Sequence, residues 1–390
     1  MSDSDDFSPY PFPNGLDGYS LREFMVWCAG QNVSDIHIQG GDYLVVSRYG
    51  RLRRASHFPL ADDVLSKLVD DIFTQEVRAK ARGAVPVDRA LQLDGDEQGR
   101  YGLGRGERLR FRCNFVQSTI GRLDSTLAIT LRVIPTDIPP LVDMGLEPDL
   151  FDALLPAKGL ALLGGEVGSG KTTLGASIFR YCLDHFPDRK VTTIEDPIEY
   201  ILALASDLLK PTQLQVGRHV GSFAEGIRAN LRRALSVLGI GEMRDRESIE
   251  AGILAGQLGV FGLGTVHIHS PGEVFPRCVS RFPVEVREAV AFEMLAVLQY
   301  VVVQKLLRTT DGRRTAVREY IIFDDALRVK LAGMPYTRWG QHIDDIIRES
   351  GGRIADKAWQ LYLAGRIAKS ELREAMSLAQ RREFEARRTS

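Results

Sequence analysis

A chain of 390 residues, 44% hydrophobic and 26% charged with a formal net charge of −1, is too long for one ordinary core, so roughly two or three domains are expected. The near-neutral balance gives no general pull toward nucleic acid or an anionic membrane and leaves only local basic patches for such contacts. Four widely spaced cysteines (Cys28, Cys113, Cys182, Cys278), with no C-x-x-C pair, fit reduced thiols in a cytoplasmic protein.

Residues 1–18 are acidic and rich in Pro and Gly, which predicts a mobile tail and lacks the basic start and apolar run of a signal peptide. A first globular domain is expected over 19–134. It opens with a helix containing "LREFMVWCAG", followed by strand, glycine turn and strand in "VSDIHIQGGDYLVVSRYGRLRR". "DDVLSKLVDDIF" has helical spacing, with Val64, Leu65, Leu68, Val69 and Ile72 on one face. In "RLRFRCNFV", Leu109, Phe111, Cys113 and Phe115 alternate with Arg108, Arg110, Arg112 and Asn114, giving one apolar and one basic strand face. From pattern alone that basic face fits a solvated surface as well as a ligand-facing one.

Three prolines among residues 135–146 predict an extended linker. Beyond it, short apolar runs ("GLALLGG", "KVTTIED", "SVLGIGE", "VFGLGTVH") alternate with helical stretches, the pattern of a parallel α/β sheet over 147–310. The apolar segment Ala289–Leu307 is interrupted by Glu293, Gln299, Gln304 and Lys305 and reads as a core helix rather than a membrane span. Residues 311–390 are expected to be mostly helical, ending in a solvated, Arg- and Glu-rich helix.

The stretch Gly165-Glu166-Val167-Gly168-Ser169-Gly170-Lys171-Thr172 fits G-x-x-x-x-G-K-[ST], follows the apolar run "LALLG" and leads into the helical pattern "TTLGASIFRYCLDHF", which opens with Thr172 and Thr173. Glycines let backbone N–H groups wrap phosphates, and the helix amino terminus adds a positive dipole end. Lys171 is placed to reach the β- and γ-phosphates, and the Thr172 hydroxyl to take a Mg²⁺ position. Glu195 and Glu242 each follow an apolar strand and so belong beyond the carboxyl edge of the sheet, beside the P-loop. There a carboxylate can hold metal-bound water or orient the attacking water, although an acid after a strand also serves as a helix cap. No N-K-x-D tetrapeptide specifies guanine. His267 and His269 stand two apart, a spacing compatible with a metal site, a buried hydrogen-bonded pair or a reporter of a bound group.

"GGEVGSGKTT", "TTIEDPIEY", "GIGEMRD" and "GTVHIHS" occur in the order of Walker A, Asp box, Walker B and His box, and resemble those motifs in the secretion-superfamily ATPases, the hexameric motors of type II and type IV secretion and type IV pili. "SDIHIQGG", "RFRCNF" and "ITLRVIP" resemble strands of that superfamily's amino-terminal domain. "YGRL", "SFAEGIRANLRR" and "VREYIIFDDALR" are similar to the type IVB branch, the DotB- and TraJ-type ATPases of secretion and conjugation. The similarity extends from about residue 20 to beyond 370.

The resemblance implies a PAS-like α+β domain, then a RecA-like P-loop ATPase domain with a helical carboxyl-terminal extension, assembled as a homohexamer. It implies ATP and Mg²⁺ as ligands, with Thr172 and Glu242 on the metal side, Glu195 polarising water and His267 reporting the γ-phosphate. Arg112, Arg122 and Arg132 match positions at which such ATPases present arginines to nucleotide, while His269 falls on a peripheral position. It further implies a cytoplasmic protein held at the inner membrane by membrane and cytoplasmic components of a transfer machine. "RRALSVLGIGE" and Leu258-Gly259-Val260 depart from the usual approaches to Walker B and the His box, which bears on turnover rather than on binding.

Three other readings are a pilus retraction or assembly motor, a RecA-like DNA translocase and a nucleotide-gated assembly factor. "ALRVKLAGM" fits the A-I-R-N-L-I-R-E-like helix of retraction motors poorly, and no basic patch interleaved with aromatics provides a nucleic-acid track.

Overall fold

The structure, a computed structural model, describes residues 7–134, 137–204 and 206–389. It divides into two compact units at the 136/137 boundary. The first holds α1 (Gly18–Gly30), β1 (Val33–Gln39), β2 (Tyr43–Arg48), β3 (Arg51–Pro59), α2 (Asp62–Ile72), α3 (Gln75–Arg82), β4 (Val87–Asp94), β5 (Arg108–Ile120) and β6 (Leu123–Ile134). The six strands form an antiparallel sheet in the order β3-β2-β1-β6-β5-β4. Phe111, Cys113 and Phe115 of β5 are fully buried with Leu65, Leu68 and Val69 of α2 and Phe24 and Met25 of α1.

Residues 7–17 of the expected tail are packed against the first unit. Phe12 is buried, its ring 5.2 Å from that of Phe24, and the Tyr10 N–H donates to the Ala55 carbonyl at 3.0 Å. Aromatic side chains at positions 7, 10 and 12 supply enough apolar area to outweigh the acidic, proline-rich composition. Asp17 then caps α1, its Oδ1 accepting from the Ser20 N–H at 2.7 Å, while the Ser20 Oγ accepts from the Asp17 N–H. Residues 1–6 of the expected tail lie outside the described residues.

The second unit contains α4 (Pro148–Ala153), β7 (Gly159–Gly164), α5 (Lys171–His185), β8 (Val191–Glu195), β9 (Thr212–Gln215), α6 (Phe223–Asn230), β10 (Val237–Ile240), α7 (Arg246–Gln257), β11 (Phe261–Val266), α8 (Val274–Val279) and α9 (Arg287–Val297). These are followed by β12 (Leu298–Arg308), β13 (Arg314–Ile322), α10 (Asp325–Ala332), α11 (Trp339–Glu349), α12 (Ile354–Leu363), α13 (Lys369–Ala375) and α14 (Leu378–Thr389). The sheet order is β13-β12-β7-β11-β10-β8-β9, parallel throughout except for the β12–β13 pair. Every residue of β7 is buried, with Leu160 and Leu162 in one core layer and Ala161 and Leu163 in the layer that also holds Leu174 and Ile178 of α5. This burial on both faces explains why the run reads as continuous apolar rather than alternating.

Three boundaries expected from sequence move. Pro135 and Thr136 of the expected linker lie outside the described residues, and the remainder is docked rather than extended. Leu141 is buried and the Ser177 Oγ donates to the Pro139 carbonyl at 2.7 Å. The expected core helix over Ala289–Leu307 is a helix only to Val297 and a strand from Leu298, because the β-branched run Val301-Val302-Val303 favours the pleated sheet. The sheet also continues past residue 310 into β13, so the carboxyl-terminal region begins with a strand before its helices. Its last helix, expected to be solvated, buries Phe384 against Trp359 at a ring separation of 5.4 Å. Among the described residues no helix is long and apolar enough to cross a membrane.

Candidate functional site

The P-loop joins the buried end of β7 to the amino terminus of α5. Gly165, Gly168 and Gly170 adopt φ of +135°, +79° and +84°, a region that disfavours side chains. At Gly165 a Cβ would lie 2.5 Å from the Gln304 carbonyl oxygen and 2.6 Å from the Ser169 Oγ; at Gly170 it would lie 2.8 Å from the Gln304 Nε2. Glycine is therefore required on steric as well as conformational grounds, and the loop backbone stays open for a ligand. Glu166 and Val167 project outward at the loop tip, and Ser169 is buried with an Oγ that has no hydrogen-bond partner among the described residues.

Lys171 opens α5 and donates Nζ to the carbonyls of Gly165 at 2.6 Å and Glu166 at 2.8 Å. Burial pulls its pKa below the ordinary lysine value, against the opposing charges of Glu242, Glu166 and Glu199. Thr172 is exposed at the helix amino terminus, and the Thr173 Oγ1 is hydrogen-bonded to the Tyr200 hydroxyl at 2.8 Å. A cradle of glycines at a helix amino terminus, a lysine and an exposed threonine fit a nucleotide polyphosphate and its Mg²⁺, an ion that keeps waters and phosphate oxygens among its ligands rather than requiring an all-protein cage.

Glu195 ends β8. Its Oε1 accepts from the Thr193 Oγ1 at 2.6 Å and from the Gln213 Nε2 at 3.1 Å. Burial raises its pKa, with the charge of Glu199 adding to the rise and the hydrogen bonds from Thr193, Gln213 and the Glu199 backbone opposing it. Gln213 reaches Glu195 from β9 and also donates to the Tyr200 carbonyl at 2.8 Å, while its Oε1 accepts from the Leu202 N–H at 2.8 Å.

Glu242 follows β10 and His267 follows β11. Their side chains meet, His267 Nε2 to Glu242 Oε1 at 3.6 Å, with Arg244 Nη1 at 3.9 Å from the other carboxylate oxygen. β11 ends at Val266, so the histidines lie beyond the strand rather than on one of its faces. His269, expected to be peripheral, is exposed but sits against the P-loop, its Nδ1 3.8 Å from Glu166 Oε1. Lys305 approaches the other oxygen of Glu166 at 3.8 Å.

In the first unit, Arg112 of β5 and Arg132 of β6 are directly opposite in the strand register. Like charges so placed repel, and each is answered by an acid: Arg132 Nε bonds Asp35 Oδ1 at 2.7 Å and Arg112 Nε lies 3.9 Å from Asp88 Oδ1. Arg108 likewise bonds Asp94 at 2.7 Å. The face that reads as basic in one strand is charge-balanced by β1 and β4. Arg122 is not brought to this pair: it lies exposed in the turn after β5, about 26 Å along the strand from Arg112 at ~3.3 Å per residue.

Sequence reasoning passed over Gln213, Tyr200, Gln304 and Arg318. Gln304 of β12 donates Nε2 to the Ser169 carbonyl at 2.8 Å and accepts at Oε1 from the Arg318 Nε at 2.8 Å. Tyr200 closes "TTIEDPIEY" and Arg318 lies in "VREYIIFDDALR", but Gln213 and Gln304 belong to neither, and the partners of the four are 11 to 174 residues away in the chain.

Residues 31–345 match the family described as type II/IV secretion system protein. The chain is 27% identical over 349 residues to the type IV pilus retraction ATPase PilT of Pseudomonas aeruginosa, spanning 90% of this chain and 94% of that protein. The crystal structure of the Legionella pneumophila ATPase DotB superposes with a TM-score of 0.82 at 28% identity, covering 94% of this chain and 98% of that one. The pilus retraction motor PilT with bound ADP superposes at 0.71 with 28% identity, over 93% and 97%. The expected architecture, a PAS-like α+β domain followed by a RecA-like P-loop domain with a helical extension, is thus borne out. With its P-loop built on an interior strand of a largely parallel sheet and this likeness over nearly its whole length, the chain belongs to the type II/IV secretion system protein family, a family of nucleotide-binding ATPases.

Proposed function

We propose that the chain is a cytoplasmic, Mg²⁺-dependent ATP-hydrolysing motor that powers a type IVB secretion or conjugative transfer apparatus, working as a homohexameric ring docked on inner-membrane and cytoplasmic partners. The observation that carries this reading is the gathering of the P-loop, Glu242 and His267 at the carboxyl edge of one parallel sheet, with Glu195 at the end of a neighbouring strand. Lys171 and the loop amides hold the phosphates, and Thr172 and Glu242 hold Mg²⁺, Glu242 through water. Bound there, Mg²⁺ neutralises charge on the β- and γ-phosphate oxygens. Glu195, pinned by Thr193 and Gln213, polarises the attacking water. Its raised pKa strengthens it as a base once it is ionised. His267 reads the γ-phosphate through its contact with Glu242. Arg112, Arg122 and Arg132 are the arginines offered to nucleotide as domains or subunits close, which makes hydrolysis depend on assembly.

The better superposition on DotB than on PilT at equal identity supports transfer over pilus retraction. Retraction is the second reading, favoured by the 27% identity to PilT across 90% of the chain. Deleting the gene in its host separates them: loss of macromolecular transfer with twitching intact supports the first, the reverse outcome the second. The decisive biochemical experiment is steady-state ATP hydrolysis alongside mass measurement in solution with and without nucleotide. An active hexamer with an inactive Glu195→Gln variant is expected. Equal trace rates in both would point to a nucleotide-gated assembly factor, and stimulation by single-stranded DNA with steep salt dependence to a translocase.

A further inference from the structure

Arg318 is 2% exposed, and burial lowers its pKa against the opposing charge of Glu147, a carboxylate bonded directly to Lys357. Its guanidinium donates only to neutral acceptors: Gln304 Oε1 at 2.8 Å, the Gly145 carbonyl at 3.1 Å and the Met144 carbonyl at 3.0 Å. A guanidinium so buried, bonded directly to neutral acceptors and opposed by the more distant charge of Glu147, is costly to hold. Gln304, 3% exposed and directly opposite Arg318 in the β12–β13 register, passes the polarisation on, its Nε2 donating to the Ser169 carbonyl at 2.8 Å. In a trans peptide the carbonyl and the following N–H point in opposite directions. Holding the Ser169 carbonyl inward on Gln304 therefore turns the Gly170 N–H outward, away from the buried strand pair. A chain of hydrogen bonds starting at a cation polarises each successive member, so the Gly170 amide is both aimed and made a stronger donor.

We propose that Arg318 and Gln304 are positioning residues for the phosphate cradle, a buried relay that presents the Gly170 amide to nucleotide phosphate and ties the P-loop to the Met144–Gly145 segment. The inference rests on the nucleotide-binding reading above and adds to it a fixed connection between the P-loop and the stretch of chain just beyond the 136/137 boundary. Leu141, Met144 and Gly145 belong to the docked part of what reads in sequence as a linker, so phosphate on the loop and strain on that stretch act on one another through two side chains. Because such coupling is reciprocal, displacement of Met144–Gly145 loosens the amide that grips the phosphate.

Gln304→Glu tests this in the full chain. The variant's carboxylate still accepts from Arg318, now as an ion pair, but offers no donor to the Ser169 carbonyl. Thermal stability is expected to hold or rise while the Kd for ADP rises about tenfold to a hundredfold. A purely structural role would move stability and affinity together. Amide hydrogen exchange supplies the second readout: ADP is expected to slow exchange over 141–147 in the wild type and not in Gln304→Glu. Should Gln304→Glu fail to fold, Gln304→Met, which removes donor and acceptor with little change in volume, is measured below its unfolding temperature and is expected to show the same loss of affinity. An ADP affinity within twofold of wild type in whichever variant folds overturns the relay, as does exchange over 141–147 that responds to ADP alike in both proteins. A wild type that binds no ADP, indistinguishable from Lys171→Ala, overturns the nucleotide reading and the relay with it, whereas wild-type binding with an unaffected Gln304→Glu overturns the relay alone.

Discussion

The carboxyl edge of the seven-stranded sheet and the arginine face of the six-stranded sheet both collect charge, by opposite means. In the seven-stranded sheet the polar side chains of the site stand beyond the ends of buried strands: Lys171 after the loop that follows β7, Glu242 after β10, His267 after β11. Register between β7, β11 and β10 alone brings those ends level, and Glu242 and His267 come within 3.6 Å. In the antiparallel sheet the charges lie along the strands, and Arg112 faces Arg132 because the β5–β6 hairpin pairs them. Their repulsion is offset by Asp88 and Asp35 from β4 and β1. In this chain the parallel edge gathers its polar groups along one line, whereas the antiparallel face offsets its arginines with acids from the neighbouring strands. The lesson is that an arginine run in one strand says little about the net field of its face.

The sharpest test of this contrast is Glu195→Gln, which keeps the shape of the β8 end and the hydrogen bonds to a carbonyl oxygen but removes the proposed base. Turnover is expected to fall about 10³-fold with ATP affinity within about threefold, measured by steady-state hydrolysis and equilibrium titration. An unchanged rate would remove the parallel edge as the seat of chemistry. His267→Ala is expected to lower turnover by about 10- to 100-fold, again with binding nearly intact, since the imidazole contacts Glu242 rather than the P-loop backbone. Loss of ATP binding in that variant would instead make His267 part of the cradle.

The arginine face is tested by comparison within itself. Arg112→Ala and Arg132→Ala are expected to cost about tenfold in turnover if they reach nucleotide. Arg108→Ala, on the same face with its own 2.7 Å contact to Asp94, is expected to leave turnover unchanged. All three are half-exposed ion pairs, so their cost to folding is expected to be at most about 1 kcal/mol by chemical denaturation. If the three behave alike in hydrolysis, the face is a solvated ion-pair surface and the contrast between the two sheets is complete.

Where a motif is local, sequence and structure agree closely. The strand-loop-helix frame of Gly165–Thr172 needs only its own glycines and the apolar run before it, and β8, β10 and β11 end within the runs that read as strands. Legibility fails where packing decides. Phe7, Tyr10 and Phe12 sit in an acidic, proline-rich stretch, yet dock onto α1 because their rings find Trp27 and Phe24. The segment from Ala289 to Leu307 changes from helix to strand at Leu298 without a glycine or proline to mark it, because β7 and β13 offer it ladder partners on both sides. Gln213 and Gln304 belong to strands whose neighbours no periodicity reveals, so the side chains that steady Glu195 and Ser169 were invisible in the linear sequence.

Gln213 gives the smallest and most discriminating effect. Its Nε2 donates to Glu195, a bond that favours the ionised carboxylate and opposes the rise caused by burial. Gln213→Leu removes that donor, so the Glu195 pKa moves further above the ordinary glutamate value. A base must be ionised to act, so turnover is lost on the acid side of its pKa and the acid limb of the pH–rate profile is expected to move to higher pH. At high pH, where Glu195 is ionised in both proteins, rates are expected to agree within about threefold. The same sign appears in folding: a buried carboxyl with a raised pKa is neutral at low pH and must ionise as pH rises, so its contribution to stability falls with increasing pH above the ordinary glutamate range, and Gln213→Leu extends that fall. A uniform loss at every pH, with the limb unmoved, would mean that Gln213 serves the Tyr200–Leu202 loop, to which it is also bonded, rather than the carboxylate of Glu195.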